Sequence, residues 1–228
     1  PRPLRLQRMS AIDRELQVSG MGTRPSSEWP LATREACALL RNLCGGDANF
    51  RRHEAFGVLQ DRDLVRFLLA RDGDVAKAAA MLRQALAWRS RRMPYWLLVD
   101  PNSEAAQALK QEARTGKMIV CGCDHFGRGL FVMDQSVQNS VDGDAQMRLL
   151  AYSVELARAN CAEGVDKICS VMNMEAFSVL TPVPMKVIKE VIEIMTIAFP
   201  ETLGTCVIWQ PPRYFYTLYQ MVKSLVDA

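Results

Sequence analysis

The side chains best suited to nucleophilic or metal chemistry are seven cysteines, Cys37, Cys44, Cys121, Cys123, Cys161, Cys169 and Cys206, and two histidines, His53 and His125. Their spacing supports neither chemistry. No pair is Cys-x-x-Cys, and neither histidine has a ligand partner at zinc spacing, so no metal site is assigned. Cysteine catalysis needs a thiolate beside a base. His53 falls in a predicted helical region and His125 in a turn, and nothing in the sequence ties either to a thiol. An odd cysteine number, with Cys121, Cys169 and Cys206 in predicted strands, reads as buried, reduced thiols in the cytosol. Gly127-Arg128-Gly129 lacks a third glycine and does not lead from a long strand into a helix, which makes it a poor dinucleotide site. No Gly-x-x-x-x-Gly-Lys-Ser/Thr loop and no Gly-x-Ser-x-Gly elbow are present. No catalytic residue and no cofactor are assigned, and the chain reads as a binding protein rather than an enzyme.

Composition agrees. The 228 residues are 49% hydrophobic and 23% charged, with a net charge of +3. That length can bury a full core. The mild basicity does not argue for nucleic acid and permits weak attraction to an anionic membrane surface. No apolar run reaches transmembrane length and no secretory signal pattern is present. Arg2, Arg5 and Arg8 read as a solvated basic tail.

The elements centre on residues 199–204. Ile188, Val191, Ile192, Met195 and Ala198 recur at helical spacing ahead of them. Pro200 has no N–H and restricts Phe199, so the helix should stop there. Gly204 is expected to supply a sharp turn. Thr205 to Gln210 reads as a buried strand. Pro211-Pro212 then starts a helix to about Val226 in which Phe215, Tyr216 and Tyr219 contribute to an apolar surface too wide for one packing face. Upstream, helices are expected over Thr33–Leu43, from Asp61 or Asp63 as cap, and over Val75 to about Arg91. A further helix runs from Asp100-Pro101 to about Arg114. Met118–Cys121 and Leu130–Met133 form a hairpin across a glycine-rich turn, and Ile168–Met172 a third strand. Alternating helices and strands indicate an α/β fold: a mixed sheet with flanking helices, behind an all-helical N-terminal element.

Helix, aromatic-Pro-Glu-x-x-Gly, strand and a Pro-containing turn into an aromatic helix resemble the Sec14 (CRAL-TRIO) family of lipid-binding proteins. Asp63-Leu-Val-Arg66-Phe67 through Trp88-Arg89 resembles that family's helical N-terminal element, and Gly122 to Arg128 its hairpin connection. The resemblance covers about residues 61–228. It implies a partly helical extension over 1–60, a helical element over 61–92 and a lipid-binding domain over 93–228 that reads as C-terminally short. It implies non-catalytic lipid binding and transfer by a cytoplasmic, peripherally membrane-associated protein, with a transient membrane partner and a bound lipid. The pocket is expected to involve Phe131, Met133, Ser170, Met172, Ile192, Met195, Trp209, Phe215, Tyr216 and Tyr219, the last three on a gating helix. Methionines suit such walls because they adapt to variable chains. Arg66 and Glu201 match the family's inositol-headgroup residues, and a guanidinium can fork onto phosphate oxygens. A sterol-like or isoprenoid ligand is equally open. The alternative is an interaction module of the same fold with a collapsed pocket.

Overall fold

The computed structural model describes residues 26–55, 57–92, 100–137, 142–175, 185–217 and 219–220. The chain forms two compact units, one of residues 1–88 with 163–165, the other of 89–162 with 166–228. The division falls within a helix at Trp88/Arg89, where the sequence drew lines at 60 and 92.

The first unit is helical. It contains α1 (Leu31–Cys44), α2 (Ala48–Ala55), α3 (Asp61–Leu69) and α4 (Val75–Arg92) through Trp88. Cys37, Leu40 and Cys44 repeat along one face of α1 and are buried, as are Leu64 and Leu68 of α3 and Ala78, Leu82 and Ala85 of α4. Spacing of three to four residues places each set on one side of its helix. Helix α3 is capped differently from the expectation. Gln60 is the N-cap, and Asp63, three residues on, accepts the Gln60 N–H at 2.9 Å. The other Asp63 oxygen accepts from Arg66 Nη1 at 3.3 Å. Both side chains are buried.

Burial pushes the Cys37 thiol up to about 12 from an ordinary value of 9.0; the Asp61 charge adds to this and Arg41 opposes it. A raised folded value favours the neutral thiol. Its contribution to stability is therefore complete below pH 9.0 and lost as pH climbs from there towards 12. All seven cysteines are free. The expected burial holds for Cys37, Cys44 and Cys169, while Cys161 is half-buried and Cys121, Cys123 and Cys206 are exposed. The exposed three lie on β1 and β4, the outermost described strands. Alkylation of native protein, followed by peptide mapping, should modify those three first. Cys37 and Cys44 should react only on unfolding; fast labelling of Cys37 in native protein would contradict its burial.

The second unit is α/β. Helix α5 (Glu104–Ala113) precedes β1 (Met118–Cys123) and β2 (Gly129–Asp134). Helix α6 (Gly143–Ala159) leads to β3 (Ile168–Asn173), and α7 (Met185–Glu193) to β4 (Leu203–Trp209). Strand order is β1-β2-β3-β4, with β1 antiparallel to β2 and the rest parallel. The parallel pairs require crossovers, which α6 and α7 supply. Ser103 caps α5 by accepting the Ala106 N–H at 3.3 Å, and Asp142 caps α6 by accepting two at 3.0 and 3.1 Å.

The glycine-rich string closes the hairpin. Gly127 has φ +75°, and the Asp124 carboxylate accepts from Phe126 N–H at 2.9 Å, Arg128 N–H at 3.0 Å and Arg128 Nε at 2.8 Å. Strand β4 departs from the sequence reading. It was expected to be buried, yet Leu203, Val207 and Trp209 are exposed, because β4 ends the described sheet.

Candidate functional site

The helix before Pro200 changes pitch before it ends. Helix α7 runs into a π-helical turn, Ile194–Ala198, closed by Phe199 N–H donating to the Ile194 carbonyl at 3.0 Å. The Thr196 hydroxyl donates back to the Ile192 carbonyl at 2.7 Å. Such turns loosen the regular ladder and commonly mark functional segments.

Two cations fix the hinge. Arg89 directs Nε and Nη2 onto the Ala198 carbonyl at 3.3 and 2.9 Å and Nη1 onto Glu155 at 2.6 Å. Its guanidinium carbon lies 4.4 Å from the centre of the Phe199 ring. Glu155 also accepts from Arg158 at 2.9 Å. On the other side, Lys167 Nζ donates to the Glu201 carbonyl at 2.5 Å and to its carboxylate at 2.9 Å. Glu201 itself turns the chain, with φ +53°. Gly204 was expected in that role and does not have a left-handed φ. A Cβ there would lie 2.8 Å from Lys167 Cβ, so glycine is needed for close approach. Gly204→Ala should cost about 1–3 kcal/mol through overpacking, read as a lower denaturation midpoint; no change would mean Lys167 moves aside freely.

The sheet presents two chemically different faces. Successive side chains alternate, and residues paired across strands share a face. Gly129, Phe131 and Met133 lie on the face that meets α6, since a Cβ on Gly129 would collide with the Ala157 carbonyl. Through the register, Ser170 and Met172 lie on that face as well, with Cys206 and Ile208 of β4. Phe131, Met133 and Ser170 are buried there.

The opposite face carries a row across all four strands: Ile119, Val132, Val171 and Val207. Val132 and Val171 are half-buried, while Ile119 is 49% and Val207 42% exposed. Trp209, paired with Asn173, stands on this second face and is 60% exposed. The expected pocket residues of the strands are thus divided between a covered face and an open one.

Ile192 and Met195 are half-buried in α7 and its π turn. Residues 215–217 and 219–220 are helical; Phe215 and Tyr219 stack with centroids 6.3 Å apart, and Tyr216 and Tyr219 are 70% and 47% exposed. Residues 221–226 of the expected aromatic helix, and the basic cluster Arg2, Arg5 and Arg8, lie outside the described residues. Arg66 and Glu201 belong to different units, and each makes an ion pair in its own, with Asp63 and Lys167. The sequence reading missed Arg89, Lys167 and the valine row. Strands apolar at successive positions offered no alternation to tell one face from the other.

A family model described as CRAL/TRIO domain matches residues 113–228. Phosphatidylinositol transfer protein PDR17 of Saccharomyces cerevisiae is 25% identical over 168 residues, which is 72% of this chain and 48% of that protein. CRAL-TRIO domain-containing protein C3H8.02 of Schizosaccharomyces pombe is 26% identical over 168 residues, 72% of this chain and 38% of that protein. The chain thus spans less than half the length of these two relatives. The crystal structure of Sfh5 aligns with a TM-score of 0.64 at 15% identity, over 86% of this chain and 76% of that one, a likeness of fold.

Proposed function

The chain belongs to the CRAL/TRIO domain family, and from that premise we propose that it binds one hydrophobic or phospholipid ligand without catalysis and transfers it between membranes. The observation that carries the reading is the open aliphatic row Ile119–Val132–Val171–Val207 with Trp209 beside it. An open aliphatic row suits an acyl chain, each buried CH₂ of which contributes about 0.8 kcal/mol; Asp134, paired with Asn173, puts a carboxylate at the Trp209 end of the same face. The matched relative PDR17 is named a phosphatidylinositol transfer protein, which supports the phospholipid class. Exposed Tyr216 and Tyr219 suit a gate over the ligand and transient contact with a membrane surface. Among the described residues no helix is long and apolar enough to cross a membrane, in keeping with peripheral, cytoplasmic association.

Organic-solvent extraction of purified protein, followed by mass spectrometry, should release a stoichiometric lipid. Ile119→Asp with Val207→Asp places charges on the exposed ends of the row. Loss of contact with two CH₂ groups is about 1.6 kcal/mol, so lipid loading should fall on the order of tenfold with circular dichroism unchanged. Phe215→Ala with Tyr219→Ala should likewise keep its circular dichroism and lose transfer between vesicles. If all four substitutions leave loading and transfer intact, the interaction-module reading moves ahead.

A further inference from the structure

The Cys121-Gly122-Cys123 triplet is used neither by the hinge nor by the apolar face. Both thiols are exposed. The β1–β2 register breaks between Val120 and Cys123: Val120 pairs with Phe131 and Cys123 with Gly129, so Cys121 and Gly122 together stand opposite Leu130. This is a β-bulge, which bends the strand and leaves its extra residue outside the ladder. Gly122 has φ +70°, and a Cβ built on it would meet nothing within 4 Å. The strand also lies at the end of the described sheet order, with β2 as its paired neighbour.

These features bear on whether the two sulfurs can join. Residues two apart in a straight strand are separated by about 6.6–6.8 Å, the upper limit of the roughly 4.4–6.8 Å that a disulfide spans between Cα atoms. A bend at the bulge is the distortion that brings such a pair inside that limit. The left-handed glycine supplies the bend at little steric cost, and the open space around it lets the backbone adjust without displacing packed atoms. Cys206, the other exposed thiol, lies on β4 at the far end of the strand order.

We propose that Cys121 and Cys123 form a dithiol–disulfide couple, a thiol-exchange site on the β1 bulge that takes low-molecular-weight disulfides such as glutathione disulfide. One cysteine thiolate attacks a sulfur of the small disulfide, forming a protein–glutathione mixed disulfide and expelling one glutathione thiolate. The second cysteine thiolate then attacks the protein sulfur, closing the Cys121–Cys123 bond and expelling the second. The two protons lost by the cysteines are taken up by the two glutathione thiolates. The protein loses two electrons and glutathione disulfide gains them.

Native full-length protein equilibrated in defined mixtures of reduced and oxidised glutathione, acid-quenched, alkylated and peptide-mapped, tests this. The expected result is a Cys121–Cys123 cross-linked peptide whose fraction rises with the oxidised share, the two thiols being lost together. Cys121→Ser and Cys123→Ser should each convert the remaining partner to a persistent glutathione adduct. Cys206 should show only the adduct, reversibly, in every variant. Independent glutathione adducts on Cys121 and Cys123 in the unsubstituted protein, a bond from either to Cys206, or two thiols that stay reduced while Cys206 is modified would each overturn the proposal.

Discussion

Replacing Arg89 by Ala should be among the most destabilising single changes outside the hydrophobic core, at about 3–4 kcal/mol. The guanidinium does three jobs at once: it satisfies the Ala198 carbonyl at the end of the π turn, pairs with Glu155 on α6, and lies against the Phe199 ring. Removing one partner of a buried pair typically costs about 3–5 kcal/mol, because the other charge stays buried. Arg158 still reaches Glu155 and reduces that figure. Lost hydrogen bonds to a charged donor, about 1.5–3 kcal/mol, and the cation–π contact, about 0.5–2 kcal/mol, overlap with the pair term and do not simply add to it. At about 2–4 °C per kcal/mol for a chain of this size, the unfolding midpoint should drop by about 10 °C. Arg89→Lys should fall between, since an ammonium keeps the charge but cannot fork onto a carbonyl and a carboxylate. A loss below about 1 kcal/mol for Arg89→Ala would mean that the hinge is held by packing alone. Lipid loading should suffer in the same variant, because Phe199 and the π turn lead directly into β4.

The hinge also shows how far the sequence could be read. Pro200 ends the helix, and its missing N–H makes that legible from one residue. A sharp turn is expected at Gly204, yet the left-handed φ falls on Glu201, held by a lysine 34 residues earlier. No local pattern announces a partner at that distance. Gly204 instead marks an irregularity in the β3–β4 ladder: Ile168 pairs with Leu203 and Cys169 with Thr205, leaving one residue extra in β4. A single inserted residue exchanges the two faces of everything downstream. It brings Trp209 opposite Asn173, on the open face, away from the Met172 row with which it had been grouped. The existence of four strands was therefore legible in runs of β-branched and apolar residues, but their faces were not. Burial of β4 was misread for a related reason. Thr205 to Trp209 is as apolar as a central strand, and only the sheet order reveals that it ends the described sheet.

Gly129→Ala should cost more than a substitution at Gly45, Gly46, Gly57, Gly116, Gly122, Gly143 or Gly204. A Cβ at this position would sit 1.8 Å from the Ala157 carbonyl oxygen and 2.7 Å from its carbon, with Ala157 Cα at 3.3 Å. These are backbone atoms of α6, so no side-chain rotation relieves the clash; β2 and α6 would have to separate. The N–H of Gly129 also donates to Cys161 Sγ at 3.3 Å, and the Ala162 N–H to the Gly127 carbonyl at 2.8 Å, so the start of β2 is tied to the end of α6 on both sides of the contact. Forcing them apart uncovers the buried face of Phe131 and Met133. The expected loss is about 4 kcal/mol or more, in the range reached by few point changes, and soluble yield should fall with it. Gly122→Ala is the control. Its Cβ meets nothing within 4 Å, so only the positive φ is penalised, by about 1–2 kcal/mol. Chemical denaturation of the two variants side by side separates close packing from backbone conformation. If Gly129→Ala is no worse than Gly122→Ala, α6 does not rest on β2 as closely as this geometry requires. The assignment of Phe131, Met133 and Ser170 to a covered face would then fall, and those residues would return as candidates for the ligand-bearing side.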